Sequence, residues 1–293
     1  MYGEIRRNKI KTWLIMLGFF MIAAGVAGIG YLITGRLSTV ISVLVGALIY
    51  SVISYFVSAR TALAINGARE VDAKTAPRLY KTVENISITD GLPMPKVFIM
   101  EDSSLNAFAT GRNPNNSYVC ATSGLLDAMN DSELQGVMAH EMGHVKNYDI
   151  RVSMIAFALV SVISMLSDII LRSVFWGGRD DENSNVSPVF IVVGIIALVL
   201  APLAASLVQL AISRRREYLA DATGALTTRY PEGLASALEK IEKYSSVTKV
   251  QNTSTAHMFF ANPLKAKSIA KLFSTHPPVE DRIARLRSMN LNG

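Results

Sequence analysis

His140-Glu141-Met142-Gly143-His144 is the stretch on which the reading of this chain turns. It fits His-Glu-x-x-His on a helix predicted to start near Asn130, with Glu133 three residues on as capping-box partner. Histidines at i and i+4 lie on one helical face, so both imidazoles can reach one metal ion. Glu141 sits beside that face, where it can take a proton from an attacking water. The pattern is the working half of a zinc peptidase. The chain has only four histidines, and two of them fall at this spacing. Short motifs also arise by chance on surface helices, so the surrounding sequence has to decide.

A catalytic zinc usually takes three protein ligands and a water. Val145 to Arg151 contains no histidine, so the close-spaced third-histidine pattern is absent, and only His257 and His276 remain. A carboxylate is therefore expected. Glu217, within Arg216-Glu217-Tyr218-Leu219-Ala220-Asp221, is the candidate. At helical spacing Glu217 and Asp221 share a face, so Glu217 can bind zinc while Asp221 orients a histidine ligand from behind. Read alone, the same residues make a solvated acidic face balancing Arg214–Arg216.

Further out the chain becomes very apolar. Half of its 293 residues are hydrophobic, too many for an ordinary soluble enzyme, and they are concentrated in blocks. Thr12–Gly35 and Leu37–Ala59 carry no charge over about 24 and 23 residues, against roughly 20 needed to cross a hydrocarbon core. The first is too long for a signal peptide and a second span follows at once, so it reads as a retained anchor. A third block, Val152 to about Phe175, contains Asp168 and Arg172, and a fourth, about Val189–Ile212, contains Pro202. The polar stretch Gly177–Asn183 between them reads as a loop. The third block has only about 16 uncharged residues before Asp168, short of a usual span. A hairpin dipping into the membrane is the alternative to two full crossings.

The net charge of +6 does not point to nucleic acid, because basic residues cluster beside the apolar blocks without interleaved aromatics. Arg6, Arg7, Lys9 and Lys11 precede the first block, Arg60 and Arg69 follow the second, Lys146 and Arg151 precede the third, and Arg214–Arg216 follow the fourth. By the positive-inside rule both termini and the motif face the cytoplasm, in a multi-pass protein of the inner or plasma membrane. His144 then lies roughly 12 Å before the third block and Glu217 roughly 8 Å after the fourth, so both halves of one metal site reach comparable depth. Cys120 is the only cysteine, which excludes an intrachain disulfide and a multi-cysteine zinc site. No phosphate-binding loop is present, so no nucleotide is expected.

The soluble segments read as a helix over Pro77–Asn85 and strands at Lys96–Met100, Asn106–Thr110 and Ser117–Ala121. Helices follow at Arg214–Thr227, Pro231–Tyr244 and Val279–Met289. Ala64–Lys74 and Ser245–Thr255 read as polar or weakly patterned linkers, favoured sites of nicking, and no segment looks like a propeptide.

Taken together, Asn106-Ala107-Phe108-Ala109, the His140–His144 motif, Glu217 with Asp221, and Ser274-Thr275-His276-Pro277-Pro278 followed by Arg282 closely resemble the HtpX-type membrane zinc metallopeptidases. These are bacterial relatives of the eukaryotic CAAX prenyl protease within the gluzincins. The resemblance covers essentially the whole chain, including the paired N-terminal spans. It implies one zinc ion per chain and endopeptidase activity on membrane or misfolded polypeptides in quality control under stress.

The remaining matched residues have physical readings of their own. Asn106, Ala107, Phe108 and Ala109 form an edge strand that can pair with an extended substrate, or an ordinary core strand. His276, stiffened by the prolines after it, can donate a hydrogen bond to the oxyanion of the tetrahedral intermediate, or simply lead into the last helix. Arg282 pairs with a site carboxylate or with the scissile backbone, or lies on the surface. His257, in an apolar setting, reads as a packed or gating residue.

The expected fold is a mainly α membrane protein with four transmembrane helices and a cytoplasmic α+β zincin-like catalytic domain with a small sheet. Residues 1–59 would hold the first pair of spans, 60–150 the first half of the catalytic domain, 151–212 the second hairpin, and 213–293 the second half with the third ligand. Two rivals come from other classes. A membrane scaffold with a structural zinc would not need Glu141. A transporter would rest only on Asp168 and Arg172, which are spaced to pair with each other.

Overall fold

The computed structural model describes residues 2–155, 157–158, 214–244, 259–260 and 277–289. Asp168, Arg172, Pro202, His257, His276, the Gly177–Asn183 loop and the Ser245–Thr255 linker lie outside the described residues, as do nearly all of the third and fourth apolar blocks. The chain divides into two compact units. One comprises residues 1–9, 59–154 and 212–293, and the other residues 10–58 and 155–211.

The N-terminal sequence forms two long helices, α1 (Tyr2–Thr34) and α2 (Leu37–Ile65). α1 ends where Gly35 adopts φ 63°, a left-handed conformation open to glycine, and returns its amide to Tyr31 O at 2.8 Å. Within α2, Val40–Ile65 is long and apolar enough to cross a membrane, and only 6% of its most apolar window is buried inside the protein. In the second unit the Tyr50 hydroxyl donates to Ala158 O at 2.8 Å, which satisfies a polar group among apolar neighbours.

The first unit is built around a small mixed sheet and a buried helix. The strands are β1 (Arg69–Val71), β2 (Lys96–Met100), β3 (Ala107–Asn113) and β4 (Asn116–Thr122), in the order β1-β2-β4-β3. β2 and β4 run parallel, with Val97 opposite Val119, while both outer pairs are antiparallel. Between β1 and β2 lies α3 (Pro77–Asp90). It runs past the predicted end at Asn85 because its stop signal is Gly91, left-handed at φ 64°, whose amide closes onto Ile88 O. β1 corrects the linker reading of Ala64–Lys74. That stretch holds the end of α2 and a three-residue strand paired with β2, too short to show period-two alternation. The short α4 (Ser123–Ala128), capped by the Thr122 side chain, was likewise not predicted.

α5 (Asp131–Lys146) carries the motif through the core. Both halves of the predicted capping box form: the Asn130 side chain accepts the Glu133 amide at 2.9 Å, and Glu133 accepts the Asn130 amide at 2.8 Å. Lys240 neutralises the buried Glu133 at 2.7 Å. Leu134, Val137, Met138, Met142 and Val145 are fully buried, each worth about 1.5–3 kcal/mol of burial. They pack among α3, the sheet, α6 (Arg214–Thr228), α7 (Pro231–Tyr244) and α8 (Val279–Arg287). Asp90, at the end of α3, ties this assembly together by accepting from Lys146 of α5 at 2.6 Å and Thr227 of α6 at 3.0 Å.

α5 and α6 approach closely because small residues line the seam. A Cβ at Gly224 would stand 3.0 Å from the backbone nitrogen of His140, and one at Gly143 3.4 Å from the Cα of Ala220. This contact brings the face of α6 that bears Glu217 and Asp221 against the histidine face of α5.

Candidate metal centre

His140 and His144 stand one turn apart on α5, with ring centroids 4.7 Å apart and ring planes perpendicular. Their Nε2 atoms lie 3.1 Å from each other. Glu217 of α6 faces both, with Oε2 3.9 Å from His140 Nε2 and Oε1 3.6 Å from His144 Nε2. Among the described residues these three form a group able to hold a metal ion, their donor atoms all within 4.8 Å of one another. Donors about 2.0–2.1 Å from a tetrahedral zinc sit roughly 3.3 Å apart, so the observed separations straddle the spacing such an ion requires.

Each imidazole is held from behind. His140 Nδ1 donates to Asp221 Oδ1 at 2.9 Å, and His144 Nδ1 donates to Asp149 Oδ2 at 3.0 Å. With a proton on each Nδ1, the lone pairs of the neutral, metal-binding form of the rings sit on the Nε2 atoms that converge with Glu217. Asp221 is gripped in turn by Arg282 of α8, Nε to Oδ2 at 2.8 Å and Nη2 to Oδ1 at 2.7 Å. On the other oxygen of Asp149, Arg216 Nη1 stands 3.3 Å away as an ion pair. Arg282 and Asp221 are almost wholly buried.

The electrostatics follow from these contacts. Burial pushes His140 down to about 4, against the pull of Asp221. Burial also works to lower His144, but the hydrogen bond to Asp149 and the charges of Glu217, Asp149 and Glu141 outweigh it and raise the ring to about 9. Asp221 is opposed by burial and still falls below the usual carboxylate range, because Arg282 lies against it. The environment of His144 therefore favours a positive charge, which a dication can supply. The donor set of two imidazoles and one carboxylate suits zinc.

Glu141 is buried beside His140 on α5. Asn106 is buried too: its amide donates to Thr122 Oγ1 at 3.0 Å and its carbonyl accepts the Thr122 amide at 3.0 Å. Asn106 therefore precedes β3 and belongs to the strand junction, while Ala107, Phe108 and Ala109 lie in β3 itself. β3 is one of the two terminal strands in the sheet order. Residues alternate along an antiparallel pair, so Ala107 and Ala109 turn their peptide groups away from β4. The Ala107 carbonyl takes one amide from outside the sheet, that of Phe260, at 2.8 Å. Phe259 packs on Phe108 with centroids 5.0 Å apart, and Phe260 packs edge-on against His140 at 4.9 Å.

The structure thus brings together His140, His144, Glu217, Asp221 and Arg282, with Glu141 alongside. His276 lies outside the described residues. Sequence reasoning missed Asp149 and Arg216. An acid five residues after His144 was the available signal for the first, but nothing local tells which histidine it serves.

Comparison with known proteins agrees with this geometry. Residues 73–290 match Peptidase family M48. A "Protease HtpX homolog" of Tropheryma whipplei (strain Twist) is 53% identical over 293 residues, covering 99% of this chain and 98% of the relative. A "Protease HtpX homolog" of Streptococcus thermophilus (strain ATCC BAA-250 / LMG 18311) is 46% identical over 298 residues, covering 99% of this chain and 100% of the relative. Among solved structures, the crystal structure of S. mikatae Ste24p is similar with a TM-score of 0.52 at 19% identity, covering 98% of this chain and 67% of that one, a likeness of fold. With a His-His-Glu centre on two packed helices and a family match over most of its length, the chain belongs to peptidase family M48 and is a metallopeptidase.

Proposed function

We propose that the protein is a zinc-dependent endopeptidase embedded in the cell membrane, cleaving membrane or misfolded polypeptides on the cytoplasmic side as part of protein quality control. The observation that carries this reading is the convergence of His140 Nε2, His144 Nε2 and the Glu217 carboxylate while both Nδ1 atoms are engaged by aspartates. His140, His144 and Glu217 hold the ion. Zinc, when bound, supplies Lewis-acid polarisation of the scissile carbonyl and makes a nucleophile available at neutral pH.

The chain's own residues do the rest. Glu141 takes the proton of the attacking water and delivers it to the leaving amine. Asp221 and Arg282 keep the His140 ring fixed. His276 donates to the oxyanion as it develops. An extended substrate adds to β3 by main-chain hydrogen bonds at Ala109, next to Ala107, whose amide and carbonyl are taken by Asn106 Oδ1 and the Phe260 amide, with Asn106 and Phe108 shaping the junction, so selection among sequences is loose.

Four membrane spans accord with the apolar blocks, and the exposed apolar side chains of α1 and α2, among them Trp13, Leu17, Met21, Ile41, Val52 and Phe56, suit contact with lipid. The distribution of basic residues supports cytoplasmic termini and a cytoplasmic site. Tethering the site at the bilayer raises the local concentration of membrane substrates.

Purified full-length protein in detergent, incubated with zinc and a loosely folded membrane protein, tests this reading. Wild type should cleave, Glu141→Ala should not cleave yet should retain zinc, and Glu217→Ala should lose both. Loss of zinc in Glu141→Ala would mean that the roles are misassigned.

A further inference from the structure

Asn8, near the start of α1, is 2% exposed, although its neighbours Arg7 and Lys9 face solvent. Its Nδ2 donates to Asp149 Oδ1 at 2.7 Å and to the carbonyl of Asn147 at 2.8 Å. Asn147 caps the C-terminus of α5, and Asp149 is the carboxylate that holds His144. The turn between them is pinned further. Tyr148, in a left-handed conformation at φ 62°, has Lys9 Nζ 5.2 Å and the Arg151 guanidinium 5.0 Å from its ring centre.

A carboxylate held at one oxygen alone can turn about its last side-chain bond. Asp149 is held at both, Oδ1 by Asn8 and Arg216 and Oδ2 by His144. We infer that Asn8 is a positioning residue of the metal centre: it fixes Asp149, and through Asp149 the ring of His144. The N-terminal end of the first helix is then part of the zinc site and not only an anchor. This rests on the reading of His144 as a zinc ligand. Outer hydrogen-bond partners of metal-binding histidines set ring orientation and affinity, with losses of about 10–100-fold when removed.

The test uses the full-length protein in detergent, with zinc affinity measured by chelator competition and site geometry by the visible spectrum of the cobalt-substituted form. Asn8→Ala should weaken zinc about 10-fold and shift the cobalt bands. Asn8→Asp, which keeps the shape but cannot donate and sets a second carboxylate against Asp149, should weaken zinc more than Asn8→Ala. A packing role alone predicts the reverse order, because the isosteric aspartate preserves what alanine removes. Should Asn8→Asp fail to fold, Asn8→Ala decides by itself. Wild-type affinity in Asn8→Ala, together with loss of zinc in His144→Ala, would overturn the role of Asn8 alone. Wild-type affinity in His144→Ala would overturn the metal-site reading with it.

Discussion

Arg282 holds Asp221 by both carboxylate oxygens, at 2.8 and 2.7 Å, and the oxygen at 2.7 Å is also the one that takes the Nδ1 proton of His140, at 2.9 Å. A residue 61 positions beyond Asp221 in the chain thus sets how the ring of His140 is turned. The arrangement joins α8 to α6 and α6 to α5 through buried charge. Such a chain is costly to break in the middle, because whatever remains is an unpaired ion in the core.

Arg282→Ala should therefore lower stability by about 3–5 kcal/mol and weaken zinc binding, since Asp221 loses its partner and His140 its support. Arg282→Lys should not restore the site, because one ammonium cannot match the two-pronged grip on the carboxylate. Thermal unfolding and chelator competition on the two variants check this. Full zinc affinity in Arg282→Lys would show that only the charge matters.

How much of this was readable beforehand depends on how local the cause is. The start of α5 was legible because a capping box is a four-residue device, and Asn130 and Glu133 carry it in the sequence. That Glu217 would lie beside the two histidines was legible by donor arithmetic on a two-histidine motif. β1 was not, because Arg69–Val71 owes its strand conformation to pairing with Val97–Ile99 and to no pattern of its own. Asn8 was least legible: its partner Asp149 lies 141 residues on, and a lone asparagine in a basic N-terminus carries no signal of burial. The sequence leaves several readings of Arg282 open, since a helical arginine looks the same whether it meets Asp221 or water.

The metal-free protein should show a distinctive pH dependence. The folded-state pKa of His144, about 9, lies above the ordinary value of 6.5, through Asp149, Glu217 and Glu141 working against burial. A group raised in the folded state adds stability that is complete below about 6.5 and is lost as pH rises through about 9. Wild-type metal-free protein should therefore lose thermal stability relative to His144→Ala between those limits. Melting curves over pH 6–10 with chelator present measure it, and parallel curves for the two proteins would contradict the raised value.

Gly224→Ala tests the helix seam. In an isolated helix the change would stabilise by about 1 kcal/mol. Here the new Cβ would meet the His140 nitrogen at 3.0 Å and the Ala139 carbonyl carbon at 3.2 Å, both backbone atoms that cannot swing aside. Overpacking of this kind costs about 1–3 kcal/mol, so the net effect should be destabilising. Glu217 should be pushed away from the histidines and zinc affinity should fall. Gly143→Ala, whose nearest neighbours stand at an ordinary 3.4 Å, should be close to neutral and serves as the control. Equal effects of the two changes on unfolding and zinc affinity would count against the seam.

Self-cleavage should be confined to one of the two stretches that composition singles out. An endopeptidase nicks exposed, unpaired backbone first. Ala64–Lys74 does not qualify, since α2 runs to Ile65, Arg69–Val71 is paired with β2, and Asp72 closes a turn with Thr75 at 2.8 Å. Ser245–Thr255 keeps its polar composition as the remaining candidate. Prolonged incubation of the solubilised protein with zinc should give fragments ending there, absent with chelator and in Glu141→Ala. Mass spectrometry of the fragments identifies the ends, and cuts within 64–74 would show that β1 opens readily.

The topology makes the last prediction. Basic residues flank the apolar blocks on one side: Arg6, Arg7, Lys9 and Lys11 before the first, Arg60 and Arg69 after the second, Lys146 and Arg151 before the third, and Arg214–Arg216 after the fourth. The opposite side has Arg36 in the first connection, and Arg172 and Arg179 among acids in the second. Retention of Lys and Arg on the cytoplasmic side then puts Gly178 outside and Asn252 inside. With Cys120 replaced by serine, Gly178→Cys should react in intact cells with a thiol reagent that cannot cross the membrane, and Asn252→Cys should react only after lysis. Labelling of Asn252→Cys in intact cells would invert the orientation and put the metal centre on the outer face. Protection of both would mean that the third and fourth blocks dip into the bilayer and return, leaving the orientation of the first pair to stand on its own charges.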